Sequence, residues 1–197
     1  MAAFAGTRRA RKLPDDGVRN GWYDILPAPP EARRVAGTVR ADWAVLGAGA
    51  CGLAAARRLG ELRPSDSIAV VEAMRVGYGT SGRNAGFMLS EHSQGGIKDL
   101  ATGRRNMRLF NAGLAYLRET VEQHQIRCDW SDWGQIYVSA AAEGEAHLRS
   151  VAEGFEALEV PYGRLDRDGL EEITGSRFYG RGIRVQGNAL VQPAAMM

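Results

Sequence analysis

Apolar and polar positions along the chain change period several times, and each change marks an element. The run Trp43-Ala44-Val45-Leu46 is short and apolar, and it leads through Gly47-Ala48-Gly49-Ala50-Cys51-Gly52 into the alanine-rich Leu53-Ala54-Ala55-Ala56. The alanines favour a helix. Pro64-Ser65-Asp66 then reads as a turn, and Ile68-Ala69-Val70-Val71 is a β-branched run typical of a buried parallel strand. Strand, glycine turn, helix and strand in that order predict a β-α-β unit over residues 41–72.

Beyond about residue 97 the period is helical, with Leu100, Met107, Phe110, Leu114, Leu117 and Val121 on one stripe of a long amphipathic helix ending near His124. Gly103 and Gly113 weaken that helix and allow a break. Gly134 to Ala140 alternates like a strand, Glu143 to Leu158 reads as a second helix, and Asp166 to Ile173 as a short third one capped by Asp166 or Asp168. Gly182 to Gly187 and Ala189 to Val191 read as two strand pieces around a turn. This mixture predicts an α+β region over 97–197. Residues 1–40 instead read as an irregular arm with Pro14-Asp15-Asp16-Gly17 and Pro27-Ala28-Pro29-Pro30. Trp22 and Tyr23 either dock that arm on its own domain or face a partner.

The glycine turn carries the first chemical signal. Gly47 permits the tight turn, Gly49 lets backbone approach a pyrophosphate, and Gly52 lets the helix lie close to the strand. Amide groups and the helix dipole at that N-terminus favour a bound diphosphate. Glu72 ends the second strand about twenty residues on, where an acid accepts adenosine ribose hydroxyls. The next stretch, Arg75-Val76-Gly77-Tyr78-Gly79-Thr80-Ser81-Gly82-Arg83-Asn84-Ala85-Gly86-Phe87-Met88, is dense in Gly, Ser, Thr and Asn. Its place after the acid-terminated strand puts it on the carboxyl edge of the sheet and makes it a second ligand loop, one compatible with the opening of a short helix.

Composition narrows the partners. With 25 Lys and Arg against 23 Asp and Glu the net charge is +2, too small to point to nucleic acid. No apolar run is long enough for a membrane span, and the basic Arg8, Arg9, Arg11 and Lys12 are followed by Leu13-Pro14-Asp15-Asp16, unlike a secretory signal. That basic stretch reads as a solvated tail. Two cysteines, Cys51 and Cys128, give neither a disulfide framework nor a metal cluster. A cytoplasmic location is the expectation.

The stretches Gly47-Ala48-Gly49-Ala50-Cys51-Gly52-Leu53, Glu72 and Gly77-Tyr78-Gly79-Thr80-Ser81-Gly82-Arg83-Asn84-Ala85-Gly86 resemble the FAD-dependent oxidoreductases of the D-amino-acid oxidase superfamily. Trp22-Tyr23-Asp24-Ile25, Ile126-Arg127-Cys128-Asp129-Trp130 and Gly134-Gln135-Ile136-Tyr137 are similar to the γ-glutamylputrescine oxidase branch. The resemblance implies an α/β fold: a Rossmann-like FAD-binding domain, here residues 41–96, and an α+β substrate domain, here a partial one over 97–197. It implies oxidation of a small-molecule amine or amino acid by hydride transfer to flavin, with oxygen or another carrier as electron acceptor. It places Gly47, Gly49, Ala50, Cys51 and Gly52 at the pyrophosphate turn, and Glu72 with Ala73 at the adenosine ribose. Thr80, Ser81, Asn84, Ala85, Gly86 and Phe87 would line the pyrophosphate, ribityl and ring end. No histidine stands in the second loop to attach flavin, so the resemblance implies noncovalent FAD. In such proteins a segment similar to Gln192-Pro193-Ala194-Ala195-Met196-Met197 leads back to the cofactor domain, so the chain is expected to be truncated or to be completed by another polypeptide.

Other residues have weaker signals. Arg83 pairs either with a substrate carboxylate or with a neighbouring group. His92 follows the second loop and either faces the flavin or is structural, while His124 and His147 read as surface residues. Cys51 reads as packing in the turn ahead of redox chemistry, and Cys128 as a buried thiol. Two other functions stay open: a dinucleotide-binding subunit or remnant without catalysis, and NAD(P) binding through the first motif alone. The second loop argues against the latter.

Overall fold

The computed structural model describes residues 19–28, 31, 33–90 and 99–197. The chain begins there with a short helix α1 (Gly21–Asp24), whose N-cap Asn20 accepts a hydrogen bond from the Trp22 N–H. Four residues are too few for a hydrophobic period, so the sequence shows this helix only as part of an irregular arm.

Strands β1 (Trp43–Leu46) and β2 (Ile68–Val71) pair in parallel, with Trp43 opposite Ile68 and Leu46 opposite Val71. Their connection is helix α2 (Ala50–Leu62). Side chains at the base of the pair fix the register: Asp42 accepts from the Ser67 N–H at 2.8 Å and from its hydroxyl at 2.7 Å. Trp43 Nε1 donates to Asp66 at 2.8 Å. The expected burial of β2 is corrected, however. Val70 and Val71 are 41% and 39% exposed, and Leu46 in β1 is 83% exposed. Among the described residues this sheet has two strands and α2 packs on it, which leaves β-branched side chains without cover.

Past Phe87–Met88 (β3), helix α3 runs unbroken from Leu100 to Gln123. Gly103 and Gly113 do not break it. Asp99 caps the start, accepting from the N–H groups of Ala101 at 3.2 Å and Thr102 at 2.9 Å, and twenty-four residues of propagation outweigh two poor helix formers. His124 is the C-cap. Arg57 of α2 reaches α3, lying 5.1 Å from the Tyr116 ring.

The largest core lies in the following segment. β4 (Gln135–Ser139), β5 (Tyr162–Leu165) and β6 (Arg181–Val185) form an antiparallel sheet in the order β4-β6-β5. Helix α4 (Ala142–Ala157) buries Leu148, Val151, Ala152 and Phe155 against Ile183 and Val185. Phe155 meets the edge of Tyr137 at 5.9 Å. Strand β5 has no sequence signature: Pro161 and Gly163 obscure its alternation, and pairing with β6 creates it. Helix α5 (Arg167–Thr174) is capped by Asp166, which accepts from Gly169 N–H at 2.9 Å.

Finally β7 (Ala189–Leu190) pairs antiparallel with β3, and α6 (Pro193–Met196) follows with Gln192 as its N-cap. Val121, Cys128, Val191 and Met196 form a second core cluster that joins α3 to this last segment. No helix among the described residues is long and apolar enough to cross a membrane.

Candidate functional site

The turn between β1 and α2 is as tight as its glycines allow. Gly47 has φ +98°, a conformation that L side chains rarely adopt. A Cβ on Gly52 would stand 1.9 Å from the Gly47 carbonyl oxygen. Gly49 is the N-cap of α2 without a side-chain cap bond, and its carbonyl takes the Leu53 N–H at 3.0 Å. The N–H groups of Cys51 and Gly52 therefore belong to the first turn, whose donors have no intrahelical acceptor. The Ala50 N–H donates to Ser81 Oγ at 3.0 Å.

Ala48, almost wholly buried, ties three parts of the site together. Its carbonyl accepts from the Gly77 N–H at 2.8 Å. Its N–H donates to Glu72 Oε2 at 2.7 Å, and Glu72 Oε1 accepts from the Met74 N–H at 3.1 Å. The Ala48 N–H is the main cause holding the Glu72 carboxyl below the usual carboxylate range, against partial desolvation. Glu72 is thus an ionised acceptor at the tip of β2, beside the glycine turn.

The second loop closes on itself. Thr80–Gly82 is a single 3-10 turn, and Gly82 N–H donates to the Gly77 carbonyl at 2.8 Å. The Asn84 side chain donates to the Ser81 carbonyl at 2.6 Å and accepts from the Gly86 N–H at 2.8 Å, an Asx-type turn that fixes the loop exit. Gly86 has φ +79° and lies directly against the Val191 carbonyl, to which a Cβ would come within 2.0 Å. The loop is therefore held by β7, more than a hundred residues on.

The α2 N-terminus and the second loop border a cavity of about 350 Å³, within the size range of ligand pockets. Six of the sequence-predicted residues line it: Ala50, Thr80, Ser81, Asn84, Gly86 and Phe87. Its far wall comes from Leu117 of α3 and from Val191, Pro193 and Met196, which sequence reasoning missed. Their only signal was the apolar stripe of α3 and the proline opening a last helix; proximity to the glycine turn is purely tertiary. Gly47, Gly49, Cys51, Gly52, Glu72, Ala73 and Ala85 do not line this cavity. Glu72 and exposed Ala73 follow β2, next to the turn.

The remaining candidates have definite places. Cys51 is exposed, which corrects the expectation that it packs inside the turn, because the helix face it occupies is uncovered. Cys128 is buried as expected, and desolvation raises its thiol pKa. Arg83 donates to the Tyr78 carbonyl at 2.7 Å and stacks 4.4 Å from the Tyr78 ring, a structural engagement. His147 lies on the exposed side of α4. His92 and the basic arm at residues 8–12 lie outside the described residues. Among the described residues no cluster of His, Cys, Asp or Glu could hold a metal ion.

A glycine turn against a strand, an acid at the next strand tip and a second loop folded onto the helix N-terminus fit a dinucleotide. Residues 42–197 match the family described as FAD dependent oxidoreductase. The chain belongs to the FAD dependent oxidoreductase family. The cofactor of this family is FAD. The chain is 29% identical over 187 residues to a probable oxidoreductase OrdL of Rhizobium meliloti, covering 89% of this chain and 42% of the relative. It is 28% identical over 154 residues to the γ-glutamylputrescine oxidoreductase of Escherichia coli, covering 73% of this chain and 34% of that one. The fold is similar to glycine oxidase from Geobacillus kaustophilus, with a TM-score of 0.61 at 20% identity over 81% of this chain and 42% of the other. The chain thus spans less than half the length of the curated relatives it matches.

Proposed function

We propose that this FAD dependent oxidoreductase chain is the dinucleotide-holding part of an enzyme that oxidises the C–N bond of a small amine or amino acid. The observation that carries this reading is the convergence of the α2 N-terminus and the second loop on one cavity through the Ala50–Ser81 bond. The N–H groups of Cys51 and Gly52 would hold the pyrophosphate, and Glu72, already ionised, would accept from the adenosine ribose. Thr80, Ser81 and Asn84 would border the ribityl chain, and Phe87 the ring end. Ala73 and Ala85 would flank these contacts through backbone alone. FAD is held noncovalently in this reading. When bound, it supplies a two-electron acceptor for hydride from the carbon beside a neutral amine, leaving a protonated imine that water hydrolyses. Exclusion of bulk water from that ring end falls to the apolar wall of Leu117, Val191 and Met196.

The likeness to a γ-glutamylputrescine oxidoreductase supports the substrate class. Oxygen or another carrier would take the electrons onward. The exposed Leu46, Val70 and Val71 on the cofactor sheet favour completion of this domain by further polypeptide, which would also finish the catalytic site. Without that cover the chain would act as a dinucleotide-binding module.

The test is the visible absorption spectrum of the purified chain, followed by heat release of any chromophore. A flavin spectrum with released FAD is expected. A colourless, folded chain that also takes up no added FAD would refute the cofactor assignment for these residues.

A further inference from the structure

Helix α1 is the element that the glycine motifs leave unexplained. It sits on the second loop through three side-chain donors on nearly consecutive residues. Asn20 Nδ2 donates to the Gly82 carbonyl at 2.9 Å, Trp22 Nε1 to the Asn84 carbonyl at 2.9 Å, and the Tyr23 hydroxyl to the Val76 carbonyl. Asn20 and Tyr23 are buried in doing so. The loop is shaped to receive them. A Cβ on Gly77 would fall 2.5 Å from Met197 Cγ and 2.7 Å from the Tyr23 hydroxyl, and one on Gly82 would fall 2.6 Å from the Gly77 carbonyl oxygen and 2.9 Å from that hydroxyl. Arg75 stacks 4.6 Å from the Tyr23 ring, and the Tyr78 ring lies 5.2 Å from it. Burial raises the Tyr23 pKa although Arg75 and Arg83 oppose it, so the phenol stays a donor at neutral pH.

The helix is itself held from the far end of the chain. Gln192 Nε2 donates to the Trp22 carbonyl at 2.8 Å while its Oε1 accepts from the Ala195 N–H at 2.7 Å. None of residues 20–23 lines the cavity beside the loop. Their effect on a ligand there passes through the loop backbone, or through α6 by way of Gln192.

We propose that Asn20, Trp22 and Tyr23 form a clamp that fixes the carbonyls of the second loop and so presents Thr80, Ser81 and Asn84 to FAD. These are positioning residues, and the proposal rests on the FAD reading above. With the carbonyls of Val76, Gly82 and Asn84 engaged by α1, the loop cannot turn these negative ends toward a diphosphate. An unclamped loop would have to be ordered at the moment of binding, and affinity would fall accordingly.

The test uses the whole chain with Trp22→Phe, Tyr23→Phe and the double variant, each removing a donor and keeping an aromatic ring. Amide hydrogen exchange of residues 76–86 is measured without ligand, and FAD affinity by flavin fluorescence. Phe155→Leu, in the remote α4 core, serves as a control for general destabilisation. Loss of one net hydrogen bond corresponds to a factor of about five, so each single variant is expected to exchange faster and bind FAD about fivefold more weakly. The double variant should lose more than about tenfold, with Phe155→Leu unchanged in affinity. Unaltered FAD affinity in the double variant, or equal weakening in Phe155→Leu, would overturn the clamp. Failure of the unsubstituted chain to take up FAD would instead overturn the cofactor reading. In that case unaltered exchange at 76–86 would still reject the clamp on its own.

Discussion

Gly52→Ala tests the close approach of α2 to β1 with one methyl group. The added Cβ would stand 1.9 Å from the Gly47 carbonyl oxygen, 3.0 Å from its carbon and 3.4 Å from Val45 Cγ1. Real Cβ atoms essentially never come under 3.0 Å, so the helix must retreat from the turn by about 1 Å or the turn must rebuild. The obstacle is backbone and cannot rotate away. Overpacking of this kind costs about 1–3 kcal/mol, and against backbone the upper end applies. Replacing a helical glycine by alanine returns about 1 kcal/mol of propensity. The net expectation is a loss of about 2 kcal/mol. Gly60→Ala supplies the comparison in the same helix, because its Cβ would meet only Ile68 Cδ1, at 3.8 Å. That variant should gain close to the full propensity difference of about 1 kcal/mol. Urea denaturation followed by circular dichroism should therefore separate the two alanines by about 3 kcal/mol. Retreat of the helix also moves the Cys51 and Gly52 donors, so FAD affinity should drop at least about tenfold in Gly52→Ala and hold in Gly60→Ala. Equal stability of the two variants would refute the close-approach reasoning.

Gly86→Ala should destabilise by about 2–3 kcal/mol in thermal denaturation, since it combines φ +79° with a Cβ 2.0 Å from the Val191 carbonyl. Ser81→Ala removes the oxygen that accepts from Ala50 N–H and should cost about 1 kcal/mol on the same assay, with a weakening of FAD binding below about tenfold. Glu72→Gln probes the lowered carboxyl. Because the Ala48 N–H depresses the folded pKa, the stabilisation is whole above the unfolded carboxylate value of about 4.3 and fades as pH falls through the folded one. The Tm gap between the parent chain and Glu72→Gln should accordingly be constant from about pH 6 upward and narrow below about pH 4. Leu46→Lys, at a position 83% exposed, should leave the unfolding midpoint within about 0.5 kcal/mol while reducing self-association in light scattering.

The β-α-β unit and helices α3, α4 and α5 were legible because each writes its own period and punctuation into contiguous residues. Pro64-Ser65-Asp66 ends α2, and Asp166 starts α5 by its own side chain. What escaped is structure defined by a distant partner. Strand β5 exists because β6 pairs with it, and α1 because the second loop and Gln192 hold it. The β-branched run Ile68–Val71 announced a strand correctly but not its exposure, since burial depends on what else packs against the sheet. Cys51 failed for the same reason. At the candidate site, the near wall of the cavity was readable from glycines and hydroxyls in two short stretches. The far wall was not, because Leu117 and Met196 look like any other apolar residues until the chain brings them to Ser81.

Gln192 also has a consequence for how the molecule is made. Its side chain joins Trp22 to α6 across 170 residues of sequence, and its backbone N–H donates to the Cys128 carbonyl at 2.8 Å. Contacts of such separation form late, after loop closure has been accomplished elsewhere. On the ribosome, Gly86 emerges roughly a hundred residues before Gln192, an interval of about 5–20 s at ordinary elongation rates. The glycine turn can fold during that wait, but the second loop has neither β7 nor an anchored α1 to fold against. The cavity beside the second loop thus lacks a wall until residues 191–196 are made, and a ribosome stalled before residue 192 would carry a β-α-β unit without it.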